Sequence, residues 1–230
     1  MFMEVLTIGD QARRDLIDQK SGEAATVTGI DSDKGEEPQQ SYSSFDAIFD
    51  LTADEKPDYI PKYLPNEGQP VFLGAVKQQL ASLLSEHMGH IHCQVAGVNA
   101  LPTFLERDRL ELSIFDNNSR QNINNTLQTL QWDVEEVADR VGMVSPRIVF
   151  MIINEACFTL QEGTAGIDDI NTAMKRGTNY PQGPFEWADA TGIAHVYETL
   201  ASVYHDTHDE RYKVCPLLKT KYLRKEAFMR

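Results

Sequence analysis

Apolar and polar positions fall into two textures along the chain, and the change comes near residue 146. Before it, short β-type runs alternate with turn-rich or helical stretches. Val5-Leu6-Thr7-Ile8, Ala25-Thr26-Val27-Thr28-Gly29-Ile30, Ala47 to Leu51, Pro70 to Gly74, Ile91 to Gly97 and Leu110 to Ile114 predict a sheet of five or six strands. Between the first two runs, Ala12, Leu16 and Ile17 mark one face of a helix over 11–20. Leu80, Leu83 and Leu84 suggest another helix, and Ile123, Leu127 and Leu130 a third, while residues 32–43 are polar and read as loop. Strand, helix, strand and then an acidic residue, Asp31, is the order of a βαβ unit feeding a parallel sheet.

After residue 146 the periodicity is helical. Ile148, Met151, Ile152 and Ala156 are expected on the buried face of a helix ending near Gly163. A second helix opens at Ile167-Asp168-Asp169, acids that suit its N-terminal dipole, and closes at Gly177. A third opens at Pro184, where no amide donor is needed, and closes at Gly192. Val196, Leu200 and Val203 carry a fourth. The domains predicted are an α/β unit over 1–144 and an all-α unit over 145–230.

Composition narrows the choice of partners. A net charge of −14 opposes binding to a phosphate backbone, which needs a basic surface to release counterions, so no nucleic-acid partner is expected. No apolar run approaches the roughly 18–20 residues that span a bilayer, and the first eight residues read as a strand rather than a signal peptide. Cys93, Cys157 and Cys215 lack metal-type spacing and suit reduced thiols, so the expected setting is cytoplasmic and the expected metal content none. His87, His90 and His92 are close in sequence but straddle a helix-to-strand turn, which does not make them converge.

Two stretches carry a resemblance. Asn154-Glu155-Ala156 is followed by Ile167-Asp168-Asp169-Ile170-Asn171-Thr172-Ala173-Met174-Lys175, then by Gly177 and Tyr180-Pro181-Gln182-Gly183-Pro184, with Asp189 and Gly192 beyond. This ordered set resembles the C-terminal domain of 3-hydroxyacyl-CoA dehydrogenases, of 3-hydroxybutyryl-CoA dehydrogenase type. The resemblance implies a Rossmann-like domain followed by an all-α domain like the C-terminal domain of 6-phosphogluconate dehydrogenase. It also implies NAD as cofactor, an acyl-CoA ligand, a homodimer made through the helical domain, and a place in fatty-acid metabolism. Turn chemistry accounts for the Tyr180–Pro184 stretch, with Gly183 expected to tolerate strained backbone angles and Pro184 to pre-set the next helix.

The motifs of the first half are altered. The family's G-x-G-x-x-G gives its glycines to the turn, to close approach of the pyrophosphate and to helix–strand packing. Counting from Gly9, those places hold Gly9, Gln11 and Arg14, and Asp31 stands at the acidic ribose-binding place. The family's general-base His precedes its orienting Glu by twelve residues; here that spacing joins Asn99 to Glu111. Asn carries no lone pair that titrates near neutrality. Pro146 stands where the family has its substrate-holding Asn, and Gly74 to Gln78 replaces the stretch with the catalytic Ser. By resemblance the candidate catalytic positions are Glu111, the only one retained, and Asn99; the candidate cofactor positions are Gly9 and Asp31. The expectation is a divergent family member lacking normal NAD-dependent catalysis and keeping an acyl-CoA-type cleft. The alternatives are an active NAD-dependent 3-hydroxyacyl-CoA dehydrogenase and a structural dimerisation module.

Overall fold

The computed structural model describes residues 2–229 and divides into two compact units, Met1–Met143 and Val144–Arg230. The first is built on a seven-stranded sheet: β1 (Met3–Gly9), β2 (Ala25–Asp31), β3 (Ala47–Asp50), β4 (Pro70–Gly74), β5 (Gln94–Val98), β6 (Arg109–Ile114) and β7 (Asp133–Glu136). Its order is β2-β1-β3-β4-β5-β6-β7, parallel throughout except where β6 runs against β5. Alternate residues of each strand supply two cores. Leu6, Ile8, Ile48, Val71, Leu73 and Val95 face one way, and Val5, Phe49, Phe72, Ala96 and Val98 the other. On the second face Phe72 stacks on Phe49 at 4.3 Å between ring centroids, and α1 (Gln11–Ser21) and α4 (Arg120–Thr129) cover it through Ile17, Ile123 and Leu127. The shorter α2 (Ile60–Tyr63) and α3 (Leu80–Leu83) pack on the first.

Three sequence expectations need correction in this unit. The seventh strand was not foreseen, because Asp133-Val134-Glu135-Glu136 has no alternation that reads as β. Pairing with β6 makes it a strand, and Arg109 and Arg120 meet its carboxylates. Strand β5 begins at Gln94 rather than Ile91, since the amides of His92 and Cys93 turn to the Leu64 carbonyl instead of a ladder. On α1 the buried face is Arg13, Ile17 and Ser21, and Ala12 is exposed.

The second unit contains α5 (Ser145–Gln161), α6 (Ile167–Gly177), α7 (Pro184–Thr191), α8 (Ile193–Thr207) and α9 (Pro216–Arg224). Helix boundaries follow the Gly and Pro signals, with Gly166 before α6, Pro184 first in α7 and Gly192 at its C-cap. The face of α5 differs from expectation. Of the four expected residues Ala156 is buried, Met151 and Ile152 are half-buried and Ile148 is 57% exposed, while Val149, Phe150, Ile153, Asn154 and Cys157 are buried. Six successive apolar residues, 148–153, leave the orientation undetermined by periodicity. Polar anchoring decides it: Asn154 donates to the Lys213 carbonyl and accepts from the Cys215 amide at 2.8 Å.

The Tyr180–Pro184 turn is explained by close approach rather than by strain. Gly183 has an ordinary φ of −75°, so its expected backbone tolerance is not used. A Cβ there would collide with the side chain of buried Asn171, whose Oδ1 accepts from the Phe185 amide at the start of α7. Glu186 completes the cap by accepting from the Gly183 amide at 2.7 Å. Asp189 in turn accepts from the amides of Phe228 and Met229, tying down the last residues described.

Gly183→Ala should therefore lower unfolding stability by roughly 1–3 kcal/mol, the usual cost of overpacking, read as a fall in the urea midpoint of the full chain. Gly177→Ala is the control, because a Cβ there meets nothing within 4 Å. Equal effects of the two changes would remove the close-approach argument.

Candidate functional site

In sheets of this order ligands bind outside the carboxyl ends of the strands, where the chain's progression reverses. Here that reversal lies between β1 and β3, the strands followed by Gly9-Asp10 and by Leu51-Thr52. Gly9 adopts a φ of 155°, which suits glycine alone and turns the chain into α1. Leu51 and Thr52 border the turn: an added Cβ would lie in ordinary contact with them, at 3.4 and 3.6 Å.

A helix N-terminus attracts anions through its unpaired amides and dipole. At α1 the chain supplies the anion, since Asp10 is the N-cap and accepts from the Arg13 amide at 3.0 Å. Burial pushes the Asp10 carboxyl up, but the Arg13 amide and guanidinium outweigh it and hold it below its ordinary value. Arg13, with a side chain only 7% exposed, then reaches across the reversal point. Its guanidinium donates to Asp10 at 2.5 Å, to the Leu51 carbonyl at 2.9 Å and to both oxygens of Glu55 at 2.9 and 3.2 Å. Lys77 approaches the same Glu55 at 3.6 Å. After β4, consecutive amides of Val76 and Lys77 form another anion-binding turn, and Asp54 fills it at 2.7 and 2.6 Å. Burial raises the Asp54 carboxyl to about 6 against the pull of those donors and of Lys77.

The four candidates read from the sequence fall into two pairs. Gly9 and Asp31 are register partners at the ends of β1 and β2. Both Asp31 carboxylate oxygens are engaged within the chain, one by the Asp33 amide and the other by Lys34, each at 2.9 Å. Asn99 and Glu111 meet across the antiparallel β5–β6 pair. The Asn99 amide group donates to the Glu111 carboxylate at 3.3 Å, and the two backbones bond at 3.1 Å. Asn99 is 2% exposed, and its side-chain oxygen accepts from the Leu101 amide. The twelve-residue spacing thus builds a real side-chain pair, but one without an imidazole. His87, His90 and His92 lie on or just after a 3-10 segment, Ser85–His90, and among the described residues no three His, Cys, Asp or Glu side chains form a metal-holding group. Arg13, Asp54, Glu55 and Lys77 were not anticipated. The only signal was an acidic Thr52-Ala53-Asp54-Glu55 turn directly after an apolar strand.

A Rossmann-like α/β unit joined to an all-α unit is thus the class to which the chain belongs. Residues 142–228 match the family described as 3-hydroxyacyl-CoA dehydrogenase, C-terminal domain, a span that coincides with the helical unit. The 3-hydroxyadipyl-CoA dehydrogenase of Escherichia coli strain K12 is 41% identical over 95 residues, which are 41% of this chain and 20% of that protein. The probable 3-hydroxybutyryl-CoA dehydrogenase of Bacillus subtilis strain 168 is 37% identical over 89 residues, 39% of this chain and 31% of that protein. These curated relatives are therefore matched over less than a third of their length. In overall fold the chain is similar to the crystal structure of (S)-3-hydroxybutyryl-CoA dehydrogenase from Ralstonia eutropha. The TM-score is 0.75 over 98% of this chain and 95% of that one, at 17% identity. The family resemblance and the fold class read from the sequence both hold.

Removing the Arg13 head group leaves the partly buried Asp10 carboxylate without its cation and Glu55 with Lys77 alone, so Arg13→Met should cost about 2 kcal/mol in urea unfolding at pH 7, the scale of hydrogen bonds to charged groups. Asp10, held low in the folded state, contributes stability above the unfolded carboxyl range that is lost as pH falls. The deficit should accordingly shrink toward pH 3. A loss below about 0.5 kcal/mol at pH 7, the scale of an exposed pair, would deny Arg13 its bridging role.

Proposed function

We propose that this chain is a divergent member of the 3-hydroxyacyl-CoA dehydrogenase family that has lost ordinary NAD-dependent catalysis and retains affinity for an acyl-CoA-type ligand. The observation that carries the reading is the Asn99–Glu111 contact, which puts a neutral amide at the place the resemblance gives to the general base. Oxidising a 3-hydroxyl requires a group that takes its proton while hydride departs. An amide has no basic lone pair for this, and losing a general base typically costs about 10²–10⁴ in rate. The cofactor side supports the same reading. A dinucleotide's pyrophosphate needs bare backbone at the first strand–helix turn, and here Asp10 and Arg13 occupy it. Two anions would compete for one helix N-terminus.

NAD would be the cofactor by resemblance, with Gly9 and Asp31 as its nearest surviving contacts. Asp31 already has both oxygens engaged by the Asp33 amide and Lys34, which is a poor fit to a ribose hydroxyl. The chain is further proposed to form a homodimer through the helical unit, where Val144 and Ile148 expose apolar surface at the start of α5. A cytoplasmic setting is proposed from three buried, unbridged thiols. Among the described residues no helix is long and apolar enough to cross a membrane.

Thermal shift and turnover assays separate this reading from that of a working dehydrogenase. Millimolar NAD or NADH should leave the melting temperature unchanged, acetoacetyl-CoA should raise it by linkage, and no NADH-dependent reduction of acetoacetyl-CoA should be seen. Asn99→His alone should recover no activity, because the crevice stays laced. Turnover by the unaltered chain would overturn the proposal. A dimer on size-exclusion chromatography with no response to either ligand would favour a dimerisation module.

A further inference from the structure

The six-stranded dinucleotide fold sets a further strand outside its second, so that the second lies inside the sheet. This chain leaves that place empty. Residues 32–46 pass from β2 to β3 without forming a strand, and β2 is the end strand of the seven. The two ends of the sheet are built differently. At β7 the acids Asp133, Glu135 and Glu136 line the edge, met by Arg109 and Arg120. Charges of this kind keep a strand edge from pairing. On β2, Ala25-Thr26-Val27-Thr28-Gly29-Ile30 carries neither charge nor proline before Asp31.

Successive residues of a strand turn their amides and carbonyls to opposite sides, which fixes what this edge offers. The Thr28 carbonyl faces β1, where it accepts from the Thr7 hydroxyl at 3.4 Å. Asp31 faces the other way: its amide donates to the Glu36 carboxylate at 2.8 Å, and its carbonyl accepts from the Glu36 amide at 3.2 Å. Ala25, Val27 and Gly29 share the outward phase of Asp31. Among the described residues none of their amides and carbonyls has a partner on that side. The row is nonetheless held straight. β2 pairs with β1 along its whole length, Ala25 and Val27 pack on the core beneath α1, and Arg14 lies over Gly29.

We propose that β2 pairs antiparallel with β2 of a second copy, about a two-fold axis at Val27, so that two sheets join into one. A two-fold contact sets a surface against itself, and this row is complementary to itself. Val27 meets its own counterpart and Ala25 meets Gly29, so every free outward amide and carbonyl finds a partner. Neighbouring registers do worse. An axis at Thr28 sets Ala25 against Asp31, whose groups Glu36 already holds, and an axis at Thr26 sets Gly29 against Glu23, part of a 3-10 turn. Between the bonded pairs, Thr26 stands opposite Thr28 of the other copy, a combination that sheets favour. Charge selects a copy over a basic peptide, because the strand between Glu23 and Asp31 offers a cation no counter-charge. It is also where two chains of net charge −14 can touch without opposing like charges. At the ends Glu23 approaches Asp31 of the other copy, an acid already paired with Lys34 at 2.9 Å. A strand edge is a small interface, so the association depends on concentration. It is separate from the helical-unit dimer proposed above and independent of whether the chain retains dehydrogenase activity.

Disulfide trapping in the full chain reads the register. The native cysteines Cys93, Cys157 and Cys215 are buried, so the added thiols are the reactive ones. Facing residues of a non-bonded antiparallel pair have Cα atoms about 4.5 Å apart, within reach of a disulfide. A mixture of Thr26→Cys and Thr28→Cys chains should therefore cross-link under oxidised glutathione, and neither variant should do so alone. Val27→Lys places like charges on the axis. Added to both chains it should abolish the mixed cross-link, with the circular dichroism spectrum unchanged. Light scattering across a dilution series supplies a second measurement, made with Ile148→Glu present so that the helical-unit contact does not contribute. The mass should rise twofold with concentration, and Val27→Lys should hold it at the monomer. Equal cross-linking by either variant alone, a mixed cross-link that survives Val27→Lys, or a monomeric mass throughout would overturn the proposal. A monomer that instead binds a synthetic peptide of alternating lysine and valine would assign the edge to a basic segment and overturn it too.

Discussion

The arrangement of the first unit depends on one guanidinium stretched across the opening between β1 and β3. Arg13 satisfies the acid that caps its own helix, the carbonyl that ends the neighbouring strand and the carboxylate of the following turn. A sheet of this topology leaves such an opening because successive crossovers diverge on either side of it. In a protein that binds a dinucleotide the ligand's phosphates neutralise the exposed amides there. This chain meets the same electrostatic demand with its own side chains: Asp10 at the α1 terminus and Asp54 in the turn after β4. Each carboxylate needs a cation or several donors once buried, and Arg13 and Lys77 supply that balance.

Internal neutralisation has a structural consequence. Arg13, Thr52, Asp54 and Lys77 are buried there with polar groups bonded within the chain. Thr52 illustrates this: its methyl group packs over Gly9 while its hydroxyl joins Asp50 to Ser32. The β5–β6 end is a separate case. Asn99 and Glu111 are joined by a side-chain and a backbone hydrogen bond that tie the end of β5 to β6.

In the helical unit the family motif reads as a set of polar anchors. Asn154 fastens α5 to the segment before α9, Asn171 caps α7 where Gly183 leaves room, and Asp189 binds the last turn. None of these contacts requires a ligand. The motif therefore has a structural reason to be kept that is independent of any chemistry in the first unit.

Positions 99 and 111 were linked only through the family resemblance, whereas the sequence alone was enough for the order of the first six strands, the all-α second half and nearly every Gly and Pro boundary. These depend on local periodicity and on fixed spacings along ladders, which a single chain displays. Tertiary structure decided the rest. The seventh strand exists because β6 offers it an edge, and the buried face of α5 is chosen by Asn154 rather than by its uniformly apolar run. Arg13 was legible only as a charged residue on an exposed helix, since the Glu55 carboxylate and Leu51 carbonyl it reaches lie about forty residues away. Electrostatic balance in a crevice is a property of groups brought together by folding, and no local pattern records it.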